Sequence, residues 1–230
     1  MATVFVPSCN NKLLYAQSVK RLGEYLLERG AVDSIGGCCK PGRTGHGSVA
    51  EASKLVVVCN SCQAILEESQ PSTPLVHALE IILNDEAFPY PDYEGEEIAV
   101  QDCWRARGRH ALHDAVRELL RRMNMIPVEL RESRDDSRFC GTTTLMAMPE
   151  QNKKLAPRRF GCADDGLFVP LDSIERRRLM REHVEGIPTQ RVVSYCFGCD
   201  AGLTLGGAES ASIINLLFDT KVYEEPLARI

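Results

Sequence analysis

Short β-branched runs alternate along this chain with longer stretches in which apolar residues recur every three or four positions. The runs at 2–7, 55–58, 98–101, 126–130 and 191–195 read as buried strands, with a weaker one at 31–35. Between them, Leu13, Leu14, Ala16, Val19, Leu22, Tyr25, Leu26 and Leu27 mark one helix over 12–29, closed by Gly30. Ala111, Leu112, Ala115, Val116, Leu119, Leu120 and Met123 mark another over 110–123. Further helical stretches are expected at 47–53, 63–69, from Pro74–His77 through Leu83, at 172–184 and near 209–219, with a short strand at 221–224. Residues 85–96 are acidic, proline-bearing and non-periodic, and read as a connector. Residues 142–171 are long, irregular and partly basic.

The pattern runs twice. Each half reads strand–Cys–helix–strand–Cys–helix–strand–Cys-x-x-Cys, so the chain is an internal duplication with halves at 1–90 and 97–230, the second carrying the 142–171 insertion. Strands alternating with helices imply right-handed βαβ units, hence an α/β protein of two pseudo-symmetric, Rossmann-like halves with mainly parallel sheets. Ligands of such sheets sit beyond the carboxyl ends of the strands. Cys9, Cys38, Cys39, Cys59 and Cys62 all fall there in the first half, and Cys103, Cys140, Cys196 and Cys199 in the second. Each set is therefore expected to converge.

Composition narrows the chemistry. With 230 residues, 44% hydrophobic, the chain can build one large domain or two small joined ones. A net charge of −5 offers no basic field for nucleic acid or an anionic membrane. No apolar run reaches the ~18 residues of a membrane span, and the N-terminal residues lack the basic and apolar regions of a signal peptide. A cytoplasmic protein is expected. In a reducing compartment ten cysteines point to metal or redox chemistry rather than disulfides. Buried thiols, a zinc ribbon and disulfides in an unusual host are the plainer alternatives. Five converging thiolates repel one another unless a metal neutralises them. Zinc takes four ligands, whereas all-thiolate ligation suits iron–sulfur clusters equally well, so spacing leaves both open.

The motifs Gly37-Cys38-Cys39, Val58-Cys59-Asn-Ser-Cys62, Asp102-Cys103, Arg138-Phe139-Cys140-Gly141 and Tyr195-Cys196-Phe-Gly-Cys199 resemble the cysteine-rich CCG domain. That module occurs in tandem in heterodisulfide reductase and in related iron–sulfur oxidoreductases. Val76-His77 and Glu129-Leu-Arg-Glu-Ser133 are further echoes, and the likeness spans nearly the whole chain. It implies an oxidoreductase subunit whose first half holds a non-cubane [4Fe–4S] cluster on Cys9, Cys38, Cys39, Cys59 and Cys62, with Cys38 and Cys39 at the catalytic face. Its substrate would be a small disulfide or thiol, or a quinone. Electrons would come from an iron–sulfur or flavin partner subunit. Two departures matter. Only 19 residues separate Cys39 from Cys59, and Phe139 replaces the first cysteine of the second pair, with 55 residues between Cys140 and Cys196. The second half is therefore expected to carry a four-cysteine site, a [4Fe–4S] cluster or zinc, on Cys103, Cys140, Cys196 and Cys199. A five-thiol site completed by Cys162 and a degenerate site are the other readings.

His46 is weighed as a proton donor against a structural loop role, and His77 is expected to cap a helix. His110 and His113 read as surface residues. Arg105, Arg107 and Arg109 either balance the charge of a metal site or form a solvated loop, and Glu175–Arg178 reads as an exposed helix face. Two functions from other classes remain beside the redox reading. One is a zinc-bound structural or interaction module; the other is a metal-free thiol–disulfide oxidoreductase using Cys59 and Cys62.

Overall fold

A computed structural model describes residues 2–161 and 167–220, so the expectations for Cys162 and for a strand at 221–224 lie outside the described residues. The chain forms two compact units. The first comprises residues 2–88 with 149–161, and the second 89–148 with 167–220.

Each unit is built on a four-stranded, all-parallel sheet. In the first, β1 (Thr3–Val6), β2 (Ser34–Ile35), β3 (Lys54–Val57) and β4 (Leu75–His77) stand in the order β2-β1-β3-β4. In the second, β5 (Glu96–Gln101), β6 (Met125–Glu129), β7 (Arg191–Ser194) and β8 (Glu209–Ser212) repeat it as β6-β5-β7-β8. The duplication and the α/β class expected from the sequence are thus present. Val4–Val6, Leu55–Val57, Ile98–Val100 and Val192–Val193 are all but inaccessible. Central strands covered by helices on both faces require such continuous apolar runs.

The helices of the first unit are α1 (Cys9–Leu14), α2 (Ala16–Glu28), α3 (His46–Ala50), α4 (Asn60–Ser69) and α5 (Ala78–Leu83). The helix expected over 12–29 is broken at Tyr15, which leaves the helical region (φ −129°, ψ 44°). Cys9 consequently opens a separate short helix. The second unit carries α6 (His110–Arg122), α9 (Ser173–Glu185), α10 (Phe197–Gly206) and α11 (Ile213–Leu217).

Two edge strands were not expected. Leu75–His77 and Glu209–Ser212 read as the beginnings of helices, yet both pair with the central strand beside them before the helix starts. The insertion is also more ordered than its composition suggests, and not all of it belongs to the second unit. It forms α7 (Glu150–Leu155) and α8 (Pro157–Phe160), which pack on α4 of the first. The reason is local: the Glu68 carboxylate accepts the Arg158 and Arg159 backbone N–H groups, each at 2.8 Å, while Phe160 is fully buried. The division between the units falls at Phe88 and Pro89, within the stretch read as a connector; its first residues are tied to the first unit, where Asp85 accepts both Tyr25 Oη and the Arg29 guanidinium and Phe88 packs edge-on against Tyr25.

Candidate metal centre

The second unit brings four thiols together. Cys103 follows β5, Cys140 lies in the loop after β6, and Cys196 and Cys199 stand at the start of α10 after β7. All four are buried, free of disulfides, and their sulfurs lie within 4.8 Å of one another. Cys103 Sγ is 3.6 Å from Cys140 Sγ, and Cys140 Sγ is 3.9 Å from Cys196 Sγ. Cys196 caps α10 and Cys103 caps a 3-10 turn at Trp104–Ala106. The positive end of α10 favours thiolate at Cys196 and Cys199.

Glycine lets the loop bearing Cys140 approach α10. Gly141 has φ +57°, and a Cβ on it would fall 1.8 Å from the Gly198 carbonyl oxygen. Only a residue without a side chain fits. Phe139, where the motif loses a cysteine, stacks on His183 (centroids 4.1 Å apart, planes 13° from parallel). Its carbonyl still faces the site, accepting the Trp104 N–H at 2.9 Å and the Cys199 thiol at 3.9 Å.

The four thiols titrate unequally. The Cys103 hydrogen bond, joined by those of Cys196 and Cys199, holds Cys140 well below the ordinary thiol range, while burial pushes Cys103 and Cys199 well above it. Cys103 lowers Cys196 as well, so charge falls on Cys140 and Cys196, and Arg105 meets both. Its buried guanidinium donates to Cys140 Sγ at 3.0 Å and lies 4.0 Å from Cys196 Sγ. Of the three arginines weighed from the sequence, this one reaches the thiols; Arg107 and Arg109 donate to the carbonyls of Ser137 and Arg105.

A second layer was not anticipated. Asp102, fully buried beside Cys103, accepts Arg117 through both oxygens (2.8 and 2.6 Å), the Arg134 N–H (2.6 Å) and the Tyr195 hydroxyl (2.7 Å). The same hydroxyl accepts the Cys103 N–H at 3.4 Å. Arg117 also holds Glu129. Burial alone would raise the Asp102 pKa; the Arg117 hydrogen bonds and charge outweigh it and hold the carboxyl below its usual range. The network joins the loops of Cys103 and Cys196 to α6. An aspartate ending an apolar strand next to a motif cysteine is the signal that marks it.

The first unit sets its five thiols on the loops and helix starts that follow its strands. Neighbours perturb one another in pairs, Cys38 with Cys9, Cys39 with Cys38 and Cys62, and Cys62 with Cys59, but unlike the second unit's four these five do not gather within 4.8 Å of one another. The Cys62 hydrogen bond holds Cys39 below the ordinary range, and the same bond pushes Cys62 well above it; burial raises Cys38. Cys9 is exposed and the other four are buried. Backbone contact sets the adjacent pair: Gly37 N–H donates to Gly45 O and Cys38 N–H to Thr44 O, and a Cβ on Gly37 would lie 2.3 Å from Thr44 O. The Asn60 amide, between Cys59 and Cys62, is fully buried, and neither of its polar atoms has a hydrogen-bond partner among the described residues.

The histidines divide. His46 bonds the Cys38 carbonyl through Nδ1 at 3.1 Å, and His77 caps α5 by accepting the Leu79 N–H. His110 is exposed as expected, but His113 is completely buried, because the turn at Arg134–Asp136 covers it; burial lowers its pKa. Glu175–Arg178 forms the exposed face anticipated, with Arg178 paired to Glu175 and Glu182. Among the described residues no helix is long and apolar enough to cross a membrane. No family model, no curated protein and no solved structure matches this chain.

Proposed function

We propose that this chain is an iron–sulfur redox subunit of the heterodisulfide reductase type, with a single-ion thiolate site as its second centre. The observation that carries a metal function is the group of four buried sulfurs within 4.8 Å, without a disulfide. Four thiolates tetrahedral about one ion at 2.3 Å stand about 3.8 Å apart. The 3.6 and 3.9 Å separations match that span, whereas a four-iron cube inserts metal between its ligands and spreads them further. One zinc or iron ion on Cys103, Cys140, Cys196 and Cys199 therefore fits best, with Arg105 offsetting part of the double negative charge of a divalent ion with four thiolates.

The first unit suits a larger group. Its five thiols influence one another's titration without closing on a single ion, and the buried, unpartnered Asn60 amide between Cys59 and Cys62 would be satisfied by a bound sulfide. A cluster held there would supply single-electron transfer to a sulfur–sulfur bond or a quinone. Opening one disulfide takes two electrons and two protons, the electrons arriving through a partner subunit. Cys9 is the exposed member and so the thiol a substrate would reach first, while Cys38 and Cys39 are buried.

The spacing in the second unit also favours a competing reading, zinc in both units of a structural or interaction module. Anaerobic purification with iron, sulfide and zinc analysis and electron paramagnetic resonance separates them. Brown protein with iron and sulfide for one cluster, plus about one further ion per chain, supports the proposal. Zinc alone in anaerobically prepared protein overturns the redox reading.

A further inference from the structure

Away from the thiols, the second unit assembles three groups of a different donor character. His110 opens α6, His113 follows one turn later on the same face, and Asp135 approaches from the turn before Cys140. His110 Nε2 is 3.6 Å from Asp135 Oδ2, and His113 Nδ1 is 3.7 Å from Asp135 Oδ1. One donor atom from each of the three lies within 4.8 Å of the others.

His113 makes this more than a surface cluster. Its side chain is completely buried, yet neither ring nitrogen has a hydrogen-bond partner among the described residues. An imidazole taken out of water without a partner is costly, and a buried polar group left so calls for an explanation such as an ion. Asp135 is held in place by the Gly108 N–H, which donates to Oδ1 at 2.8 Å. The neighbouring cations are engaged elsewhere: Arg117 with Asp102 and Glu129, and Arg134 with Asp114.

We propose that His110, His113 and Asp135 form a second metal site, for a divalent transition ion of the zinc class. Bonds of 2.0–2.2 Å to two imidazoles and a carboxylate would bring the donor atoms to about 3.4 Å, a closure of a few tenths of an ångström for each imidazole–carboxylate pair and of at most about 1.4 Å between the two imidazoles. Three protein ligands leave a fourth position for water, on the solvent side where His110 is 73% exposed. Nitrogen and oxygen donors keep this site distinct from the thiolate sites, which select softer metals. An ion here would clamp α6 to the turn whose Arg134 N–H bonds Asp102, and so brace the approach to Cys140.

Cobalt(II) titration of untagged, anaerobically purified protein tests this by absorption spectroscopy. Cobalt on thiolate gives strong near-ultraviolet charge-transfer bands; cobalt on two imidazoles and a carboxylate gives weak visible bands alone. The expected result is one equivalent with only the weak bands, displaced by zinc and lost in both His110→Ala and Asp135→Asn. Any thiolate bands stay unchanged in those variants. His110 is exposed, so its replacement leaves folding intact. No weak-band equivalent in the parent protein, or the same equivalent retained in both variants, overturns the site. Both results are independent of whether the thiols hold iron, because the thiolate bands report on them separately.

Discussion

Arg117→Met is the most informative single change in the second unit. It leaves Asp102 buried, with the Tyr195 hydroxyl and the Arg134 N–H as remaining hydrogen-bond donors and no guanidinium. Removing one partner of a buried ion pair costs about 3–5 kcal/mol, because the other charge is stranded. Protonation limits the charge part. An Asp with an unfolded pKa near 3.9 takes up a proton at pH 7 for about 3.1 × 1.36, or about 4 kcal/mol, and at pH 5 for about 1.5 kcal/mol. The sign follows. In the parent protein Asp102 is held below its unfolded value, so it stabilises above that value; in the variant it is pushed above and destabilises there. The deficit must shrink as pH falls from 7 to 5. Urea unfolding at fixed free zinc, followed by fluorescence of Trp104, measures it, since the chain's one tryptophan lies in this unit. Asp102→Leu added to Arg117→Met removes the stranded charge and should recover at least half of the loss. A loss below about 1 kcal/mol at pH 7, or an equal loss at both pH values, would refute the reasoning.

Cys140→Ser removes the thiolate on which Arg105 and the other three sulfurs converge, and should lose the ion of the second unit while the metal content of the first is kept, as measured by elemental analysis. Gly42→Ala, at φ +75° with no atom within 4 Å of the new Cβ, should cost about 1–2 kcal/mol from left-handed backbone strain alone. Gly141→Ala adds a backbone clash to the same strain and should cost far more, read by Trp104 fluorescence and loss of bound metal. Asp85, held to about 2 chiefly by its Arg29 hydrogen bond, contributes stability that is full above its unfolded value near 4 and fades as pH falls toward 2. The thermal midpoints of Asp85→Asn and parent protein, tracked by circular dichroism, should converge over that interval.

The central strands were legible because a strand covered on both faces must be apolar throughout, and Leu55–Val58 or Val192–Val193 can be little else. Edge strands were not. Leu75–His77 runs directly into the helix beginning at Ala78, and its apolar residues continue those of the helix without a break. Glu209–Ser212 likewise runs directly into the helix beginning at Ile213, and its Glu-Ser-Ala-Ser sequence has no β-branched run to mark a strand. The break at Tyr15 was hidden because the helical period runs through it. Cysteine spacing located the thiols, since the ends of parallel strands meet at one edge of the sheet. It did not locate the groups that depend on long-range burial. Arg117 and His113 sit on a polar-looking stretch of α6, and only a turn some twenty residues further on shows that both are enclosed.

The strand order has a kinetic side. In both units the first strand is flanked by the second and third, so neither sheet has its centre until the third strand arrives. Phe5 pairs with Val56, 51 positions on, whereas Ala99 pairs with Val192, 93 positions on. The extra chain adds only about 0.5 kcal/mol of closure entropy, but pairings between distant segments slow folding. The nucleus of the first sheet can form while the second still waits for β7, the strand that delivers Cys196 and Cys199. A metal ion captured early by Cys103 and Cys140 would shorten that search by tethering the far end of the loop, making the ion an assembly guide as well as a brace.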